Sequence, residues 1–201
     1  MIPIFVITLP DCHARQYRIS ASLKGLGLQF EFVHGVDGRN GLPPEYESKI
    51  DRVATRKAGH IMCNAEFACA LSHMKIYRRI VEEYIPYALV LEDDTKPLPA
   101  LVEYLFGKHY ENAELTQLQC GGKVYVRRYG SKHLFGNHKS YLRATKRNIA
   151  GAYGYIISYS AALHFIENAL PIIHMADWPD CIETLVAQRK CRVVSPPPCL
   201  A

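Results

Sequence analysis

Tyr87-Ala88-Leu89-Val90-Leu91-Glu92-Asp93-Asp94 decides how the rest of the chain is read. A short apolar run with β-propensity leads directly into three consecutive carboxylates. Such a run is the pattern of a strand buried on both faces, as in a parallel sheet, and ligands in open α/β sheets bind at the carboxyl ends of those strands. Three adjacent acids repel one another unless a cation or hydrogen bonds offset the charge. Two readings are open: a divalent-metal site that holds a phosphorylated ligand, and a solvated acidic loop after a strand.

Working back toward the N-terminus, Pro3 to Leu9 reads as a first strand that Pro10-Asp11 interrupts, with Asp11 placed to cap a helix. Ile19, Leu23 and Leu26 recur at helical spacing, and Gly25 or Gly27 ends that helix. Gln29 to His34 alternates as a second strand. The resulting βαβ unit implies a parallel pair, with Gly35-Val36-Asp37-Gly38 at its carboxyl edge. The chain contains neither G-x-G-x-x-G nor a phosphate-binding G-x-x-x-x-G-K-[ST], which weakens dinucleotide and P-loop readings. Residues 38–62 read as an irregular loop. A helix follows from Asn64 to about Tyr84, striped by Phe67, Leu71, Met74, Tyr77, Ile80 and Val81. Ser72 and His73 fall off that stripe or at its edge, where His73 reads equally as a surface or satisfied core histidine.

Beyond the acidic triplet come a helix from about Pro99 to Tyr110 and a strand at Leu115 to Cys120. Further strands are expected near Val124-Val126, from Ile149 to Ser158 and at Arg192-Val194, with helices after Ser160 and from Cys181 to Gln188. The expected architecture is one α/β domain over residues 1–201. No internal repeat marks a second one.

The composition narrows the functional classes. The chain has 201 residues, and 49% apolar with 21% charged residues suits a globular protein with a sizeable core. Seven scattered cysteines, odd in number and without C-x-x-C, argue against a disulfide framework and a zinc ribbon. Met1-Ile2-Pro3 lacks the basic start of a secretory signal, and no apolar run nears the roughly 20 residues of a membrane span. A cytoplasmic protein is expected, in contact with the inner face of the membrane.

The net charge of +5 is unevenly distributed. Leu115 to Ile166 contains no acid but carries Lys123, Arg127, Arg128, Lys132, Lys139, Arg143, Lys146 and Arg147. This stretch, with Tyr125, Tyr129, Phe135 and Tyr141 among its charges, fits an anionic partner or a solvated basic face. Nucleic acid, a diphosphate or an anionic lipid would each complement it. Nucleic-acid binding gives no account of Glu92-Asp93-Asp94, so no nucleic-acid partner is expected.

Four groups of residues, in order, carry a resemblance. They are Val6-Ile7-Thr8-Leu9 with Arg15 and Phe32 to Gly38; Ala65 to His73; Leu91 to Asp94; and Gly151 to Ser158 followed by Asp177-Trp178. Together they resemble glycosyltransferase family 25, the bacterial lipooligosaccharide galactosyltransferases and their collagen-modifying relatives. Gln16 stands where the family has a second Arg, and Asn64-Ala65 where a Gly precedes the Glu. The resemblance implies a GT-A-type, Rossmann-like nucleotide-sugar-binding fold, a mixed, mostly parallel sheet flanked by helices. It also implies an inverting β-galactosyl transfer from a UDP-sugar to an anionic glycolipid (lipooligosaccharide or lipopolysaccharide), with manganese or magnesium as divalent cation. Asp94 with Glu92 is expected at the cation. Ile7, Thr8, Leu9, Arg15, Asp37, Ser72, His73 and Asp93 are expected around the donor. Asp177 is expected as general base, with Asp180 as its substitute. The basic region 123–147 would meet the acceptor and the membrane. Two other classes use the same features: a non-catalytic sugar-nucleotide or glycan binder, and a metal-dependent nucleotidyltransferase or phosphohydrolase.

Overall fold

The computed structural model describes residues 1–59, 61–118, 126–144, 151–176, 179 and 181–200, with residues 126–129 as backbone only. The elements run in the order β1 (Ile4–Thr8), α1 (His13–Gly25), β2 (Glu31–His34), α2 (Pro44–Glu47), α3 (Arg52–Lys57), α4 (Asn64–Glu82), β3 (Tyr87–Glu92), β4 (Lys96–Pro97) and α5 (Pro99–Phe106). Then follow β5 (Leu115–Gln117), β6 (Val126–Phe135), β7 (His138–Arg143), β8 (Gly154–Ser158), α6 (Tyr159–Asn168), α7 (Ile182–Ala187), β9 (Cys191–Ser195) and β10 (Cys199–Leu200).

Among the described residues one eight-stranded sheet has the order β2-β1-β3-β8-β5-β9-β7-β6, and β10 pairs with β4 separately. The expected α/β class, a mixed sheet flanked by helices, is present. β1 is parallel to both β2 and β3, and β5 is parallel to β9. β8 runs antiparallel to β3 and β5, and β7 antiparallel to β6 and β9. The N-terminal βαβ unit extended by the acid-tipped strand is one parallel block and β5–β9 a second, and β8 and β7 run opposite to the other six described strands of this sheet, so the sheet is mostly parallel as expected.

Period-two alternation explains why these strands read as unbroken apolar runs: both faces are covered. Ile4, Val6, Leu89 and Leu91 pack with Ile19, Leu23, Leu101 and Leu105 on the α1 and α5 side. Phe5, Ala88, Val90 and Ile157 pack with Phe67, Leu71, Ile80 and Phe165 on the α4 and α6 side. Leu89 and Leu91 are fully buried. Each such side chain contributes roughly 1.5–3 kcal/mol by leaving water, enough to hold the register of the edge that carries the acids.

Several local expectations change. The cap of α1 is Cys12, without a side-chain hydrogen bond, because Asp11 is held instead by Arg39 at 2.8 Å. The loop of residues 38–62 contains α2 and α3, and Asp51 caps α3 by accepting from the Val53 and Ala54 amides at 2.9 and 2.8 Å. Helix α4 starts after Cys63, whose amide donates to Glu66 Oε2 at 2.7 Å in the manner of a capping box. It is buried well beyond its apolar stripe, since Ser72 and His73 are both inside. The basic stretch folds partly as a hairpin, β6 to β7, turning at Gly136-Asn137 with Gly136 at φ 48°. Its Arg143 is not part of a basic face: it is 1% exposed and donates to Gln117 Oε1 at 3.0 Å. No helix among the described residues is long and apolar enough to cross a membrane.

Candidate functional site

The carboxyl ends of β1, β2 and β3 lie side by side, because the parallel registers pair Thr8 with His34 and Ile7 with Glu92. The acidic triplet emerges at this edge in a tight turn. The Glu92 amide donates to the Tyr153 carbonyl at 2.9 Å, the Thr95 amide donates back to the Glu92 carbonyl at 3.1 Å, and Thr95 Oγ1 donates to Tyr153 as well.

The three carboxylates face different partners. Asp93 is 8% exposed; Thr8 Oγ1 donates to its Oδ2 at 2.7 Å and Arg15 Nη1 to its Oδ1 at 3.2 Å. Asp94 has a side chain 39% exposed, with Arg15 at 3.5 Å. Burial raises its pKa above the usual carboxylate value, Glu92 and Asp93 add to the rise, and Arg15 offsets part of it. Glu92 turns toward α4, where His73 Nε2 lies 3.2 Å from its Oε1 and the Cys69 thiol donates at 3.8 Å. Burial of the His73 ring opposes its charge, but Cys69 and Glu92 beside it outweigh that and push its pKa up to about 10.

The loop after β2 closes the other wall. Ser72 Oγ accepts from the Val36 amide at 2.8 Å and donates to the Ala68 carbonyl at 2.7 Å, tying the loop to α4. Only glycine allows this approach: a Cβ on Gly35 would lie 2.8 Å from Ser72 Oγ, and one on Gly38 would collide with the Asn64 carbonyl. Asp37 is paired with Arg39 at 2.6 Å, which holds its carboxyl down at about 2. Arg39 also reaches Asp11, so it spans the mouth from the β1–α1 loop to the β2 loop.

These walls enclose a cleft of 210 Å³ lined by Ile7, Thr8, Leu9, Arg15, Asp37, Ser72, Glu92 and Asp93 among others. Seven of the eight residues expected around the donor thus share one cleft. His73, the eighth, sits behind it, against Glu92. Gln16, where the sequence pattern departs from the resemblance, fixes the β1 end by donating to the Leu9 carbonyl at 2.8 Å. Asp177, Trp178 and Asp180 lie outside the described residues. The chain leading to them, Met175-Ala176, lines a second pocket of 140 Å³ with Glu66, Cys69, Glu92, Ala152 and Tyr153. Within the basic region, Lys123, Lys146 and Arg147 also lie outside the described residues, while Lys132 reaches Asn112 Oδ1 at 2.9 Å.

Sequence reasoning missed Arg39, Cys69 and Tyr155 as members of the site. Arg39 directly follows the Gly35 to Gly38 turn, and Cys69 stands one helical turn before His73, so both carried a positional signal. Tyr155, which meets His73 Nδ1 at 2.7 Å across 82 residues, carried none.

The carboxylates at this edge are of the donor type that a hard divalent cation takes. Asp94 is a half-exposed carboxylate whose charge its neighbours leave under-compensated, beside a second acid, and hard cations take such oxygen ligands. The edge also offers Arg15 for anionic oxygen and a loop backbone for a base or ribose.

A profile of Glycosyltransferase family 25 (LPS biosynthesis protein) matches residues 1–179. The Lacto-N-neotetraose biosynthesis glycosyltransferase LgtE of Neisseria meningitidis serogroup B (strain ATCC BAA-335 / MC58) is 28% identical over 196 residues, covering 86% of this chain and 64% of that protein. The Inactive glycosyltransferase 25 family member 3 of Mus musculus is 28% identical over 104 residues, covering 46% of this chain and 16% of its own length. The chain therefore spans less than two thirds of either relative. Among solved structures, apo UDP-glucose pyrophosphorylase has a TM-score of 0.47 at 12% identity, covering 96% of this chain and 89% of that one. A197 from STIV has a TM-score of 0.45 at 12% identity, covering 96% and 81%. A glycosyltransferase involved in glycosylation of the major capsid of PBCV-1 has a TM-score of 0.39 at 10% identity, covering 84% and 66%.

Proposed function

The chain belongs to glycosyltransferase family 25, and from that premise we propose that it transfers galactose from UDP-galactose, with inversion, to a cell-surface glycolipid of the lipooligosaccharide or lipopolysaccharide type. The observation that carries this reading is the cleft at the carboxyl ends of β1, β2 and β3, which gathers Thr8, Arg15, Asp37 and Asp93 beside the half-exposed Asp94. A parallel strand edge closed by a glycine turn is the arrangement a GT-A-type nucleotide-sugar domain needs.

In this reading the Gly35 to Gly38 loop, Ile7 and Asp37 receive the uridine, and Arg15 meets the diphosphate. Asp93 keeps its place through Thr8 and orients Arg15 toward the phosphates. Asp94 holds a divalent cation, manganese or magnesium, with the Glu92 carboxylate as second ligand. That cation supplies neutralisation of the charge on the departing diphosphate. Asp177 takes the proton of the acceptor hydroxyl, with Asp180 as the alternative base. The reacting sugar carbon is expected to gain oxocarbenium character, as in glycoside hydrolysis. Exposed cations of the 123–147 region attract the anionic acceptor and the membrane surface, a role that buried Arg143 does not share.

The test is a screen of UDP-sugars with manganese, reading UDP release with and without glycolipid acceptor. Release that requires both UDP-galactose and acceptor supports the transferase. Free galactose or a monophosphate formed without acceptor makes the protein a hydrolase. Donor binding without turnover makes it a non-catalytic member, as the name of the mouse relative describes that protein.

A further inference from the structure

The donor reading uses Glu92 but gives no chemical role to Cys69, which lines the donor cleft, or to His73, which sits behind it. Cys69 and His73 stand four residues apart on α4, so both face the same way, toward the end of β3. Cys69 Sγ, a His73 ring nitrogen and a Glu92 carboxylate oxygen all lie within 4.8 Å of one another, and among the described residues this is the one such group of three. His73 Nε2 is 3.2 Å and Cys69 Sγ 3.8 Å from Glu92 Oε1. Zinc bonds of about 2.0–2.1 Å to nitrogen or oxygen and about 2.3 Å to sulfur imply tetrahedral edges of about 3.3–3.6 Å. The Nε2–Oε1 and Sγ–Oε1 edges stand near that spacing, and the third edge lies within 4.8 Å.

The surroundings add a second observation. Metal-bound histidines have their other ring nitrogen held by an outer partner that fixes the tautomer. Here Tyr155 Oη sits 2.7 Å from His73 Nδ1 and donates onward to Tyr77 Oη at 3.2 Å. Tyr155 therefore accepts from Nδ1–H, and Nε2 is left to face Glu92. The ring is 1% exposed, so its orientation is set by packing. Cys69 and Glu92 both line the 140 Å³ pocket as well as the donor cleft.

We propose that Cys69, His73 and Glu92 form a zinc site, with Sγ, Nε2 and Oε1 as its three protein ligands and the fourth position open to the adjoining pocket. A thiolate and an imidazole favour zinc over manganese or magnesium, which prefer all-oxygen sets such as the one around Asp94. Binding displaces the thiol proton of Cys69 and any proton on Nε2 into solvent. The zinc is separate from the donor cation: the two share Glu92 through different carboxylate oxygens, and Asp94 belongs to the donor cation alone.

The test uses the full chain stripped with a chelator and titrated with zinc alone, then with cobalt as a spectroscopic stand-in. One zinc per chain is expected, and cobalt should produce a thiolate charge-transfer band with tetrahedral visible bands. Cys69→Ser should abolish that band and weaken zinc binding by more than about 100-fold, beyond the loss an outer partner produces. Tyr155→Phe, which removes only the outer hydrogen bond, should weaken it by about 10–100-fold. Cys63→Ser and Asp94→Ala should leave zinc affinity unchanged. X-ray absorption on the unaltered zinc-loaded protein, which does not depend on any variant folding, should show one sulfur at about 2.3 Å. Absence of saturable binding, a sulfur-free zinc shell, or full affinity in Cys69→Ser would overturn the site. Failure of Asp94→Ala to affect UDP-galactose turnover would instead strike the donor reading and leave the zinc site standing.

Discussion

Asp93 turns toward β1 and α1, where Thr8 and Arg15 donate to its two oxygens, whereas Glu92 turns toward α4, where a buried imidazole and a thiol meet it. Successive residues at a strand end point to opposite faces, so one run of acids is divided between two layers. The α1 side offers hydroxyl and guanidinium donors and an open cleft. The α4 side offers nitrogen from a buried imidazole and sulfur from a partly exposed thiol beside a pocket. Asp94, left 39% exposed between them, is the carboxylate with room for a new ligand. The contrast teaches that the three acids, indistinguishable as a motif, differ in role through what each side chain meets.

The sharpest way to break that contrast is Asp94→Ala. Turnover of UDP-galactose in the presence of metal should fall by about 100-fold or more while the far-UV spectrum stays unchanged; near-normal turnover would remove Asp94 from the cation. Asp177→Asn should retain donor binding by calorimetry yet lose about 100-fold or more in transfer. Weakened donor binding with unchanged chemistry would move the base elsewhere. Asp93→Asn should lower stability by about 1–2 kcal/mol in urea unfolding and weaken donor binding through the loosened Arg15. The interaction is charge-assisted, but Arg15 is half exposed and its share is screened.

His73 sharpens the other side of the comparison through pH. Its pKa is raised from 6.5 to about 10, so the folded state holds a proton that the unfolded chain has released above 6.5. That stabilisation is fully present below pH 6.5 and is lost as pH rises through about 10. Metal-free protein should therefore lose stability over this window, and His73→Gln should show a shallower fall. Equal slopes for the two proteins would mean that the ring does not bind the proton. The smallest effect expected is on acceptor binding, which should weaken with added salt if exposed cations of the 123–147 region draw in the glycolipid. Affinity that ignores salt would assign the acceptor to other contacts.

Much of the parallel half was legible in advance. Ile4 to Ile7 and Tyr87 to Leu91 carry unbroken apolar runs because both faces of these strands are covered, and the polar residues begin at Thr8 and Glu92, where the strands reach the site. The antiparallel half was harder. In β6 and β7, charged residues such as Lys132 and Lys139 obscure the alternation, so the sequence pointed to a short strand near Val124-Val126 and not to the hairpin. The basic face was overdrawn for a related reason. Composition counts a guanidinium without saying where it points, and Arg143 points inward to Gln117.

What the sequence determined by itself was local and directional: an apolar strand, its acidic tip, the glycine turn after β2, and the ordered motifs that place the chain in its family. What only the tertiary structure decided was pairing at long range. Thr8 meets Asp93 across 85 residues, and Tyr155 meets His73 across 82. Spacing along the chain encodes which face a side chain takes within its own element. It does not encode which partner another strand or helix brings to that face, because that follows from how the apolar faces pack together.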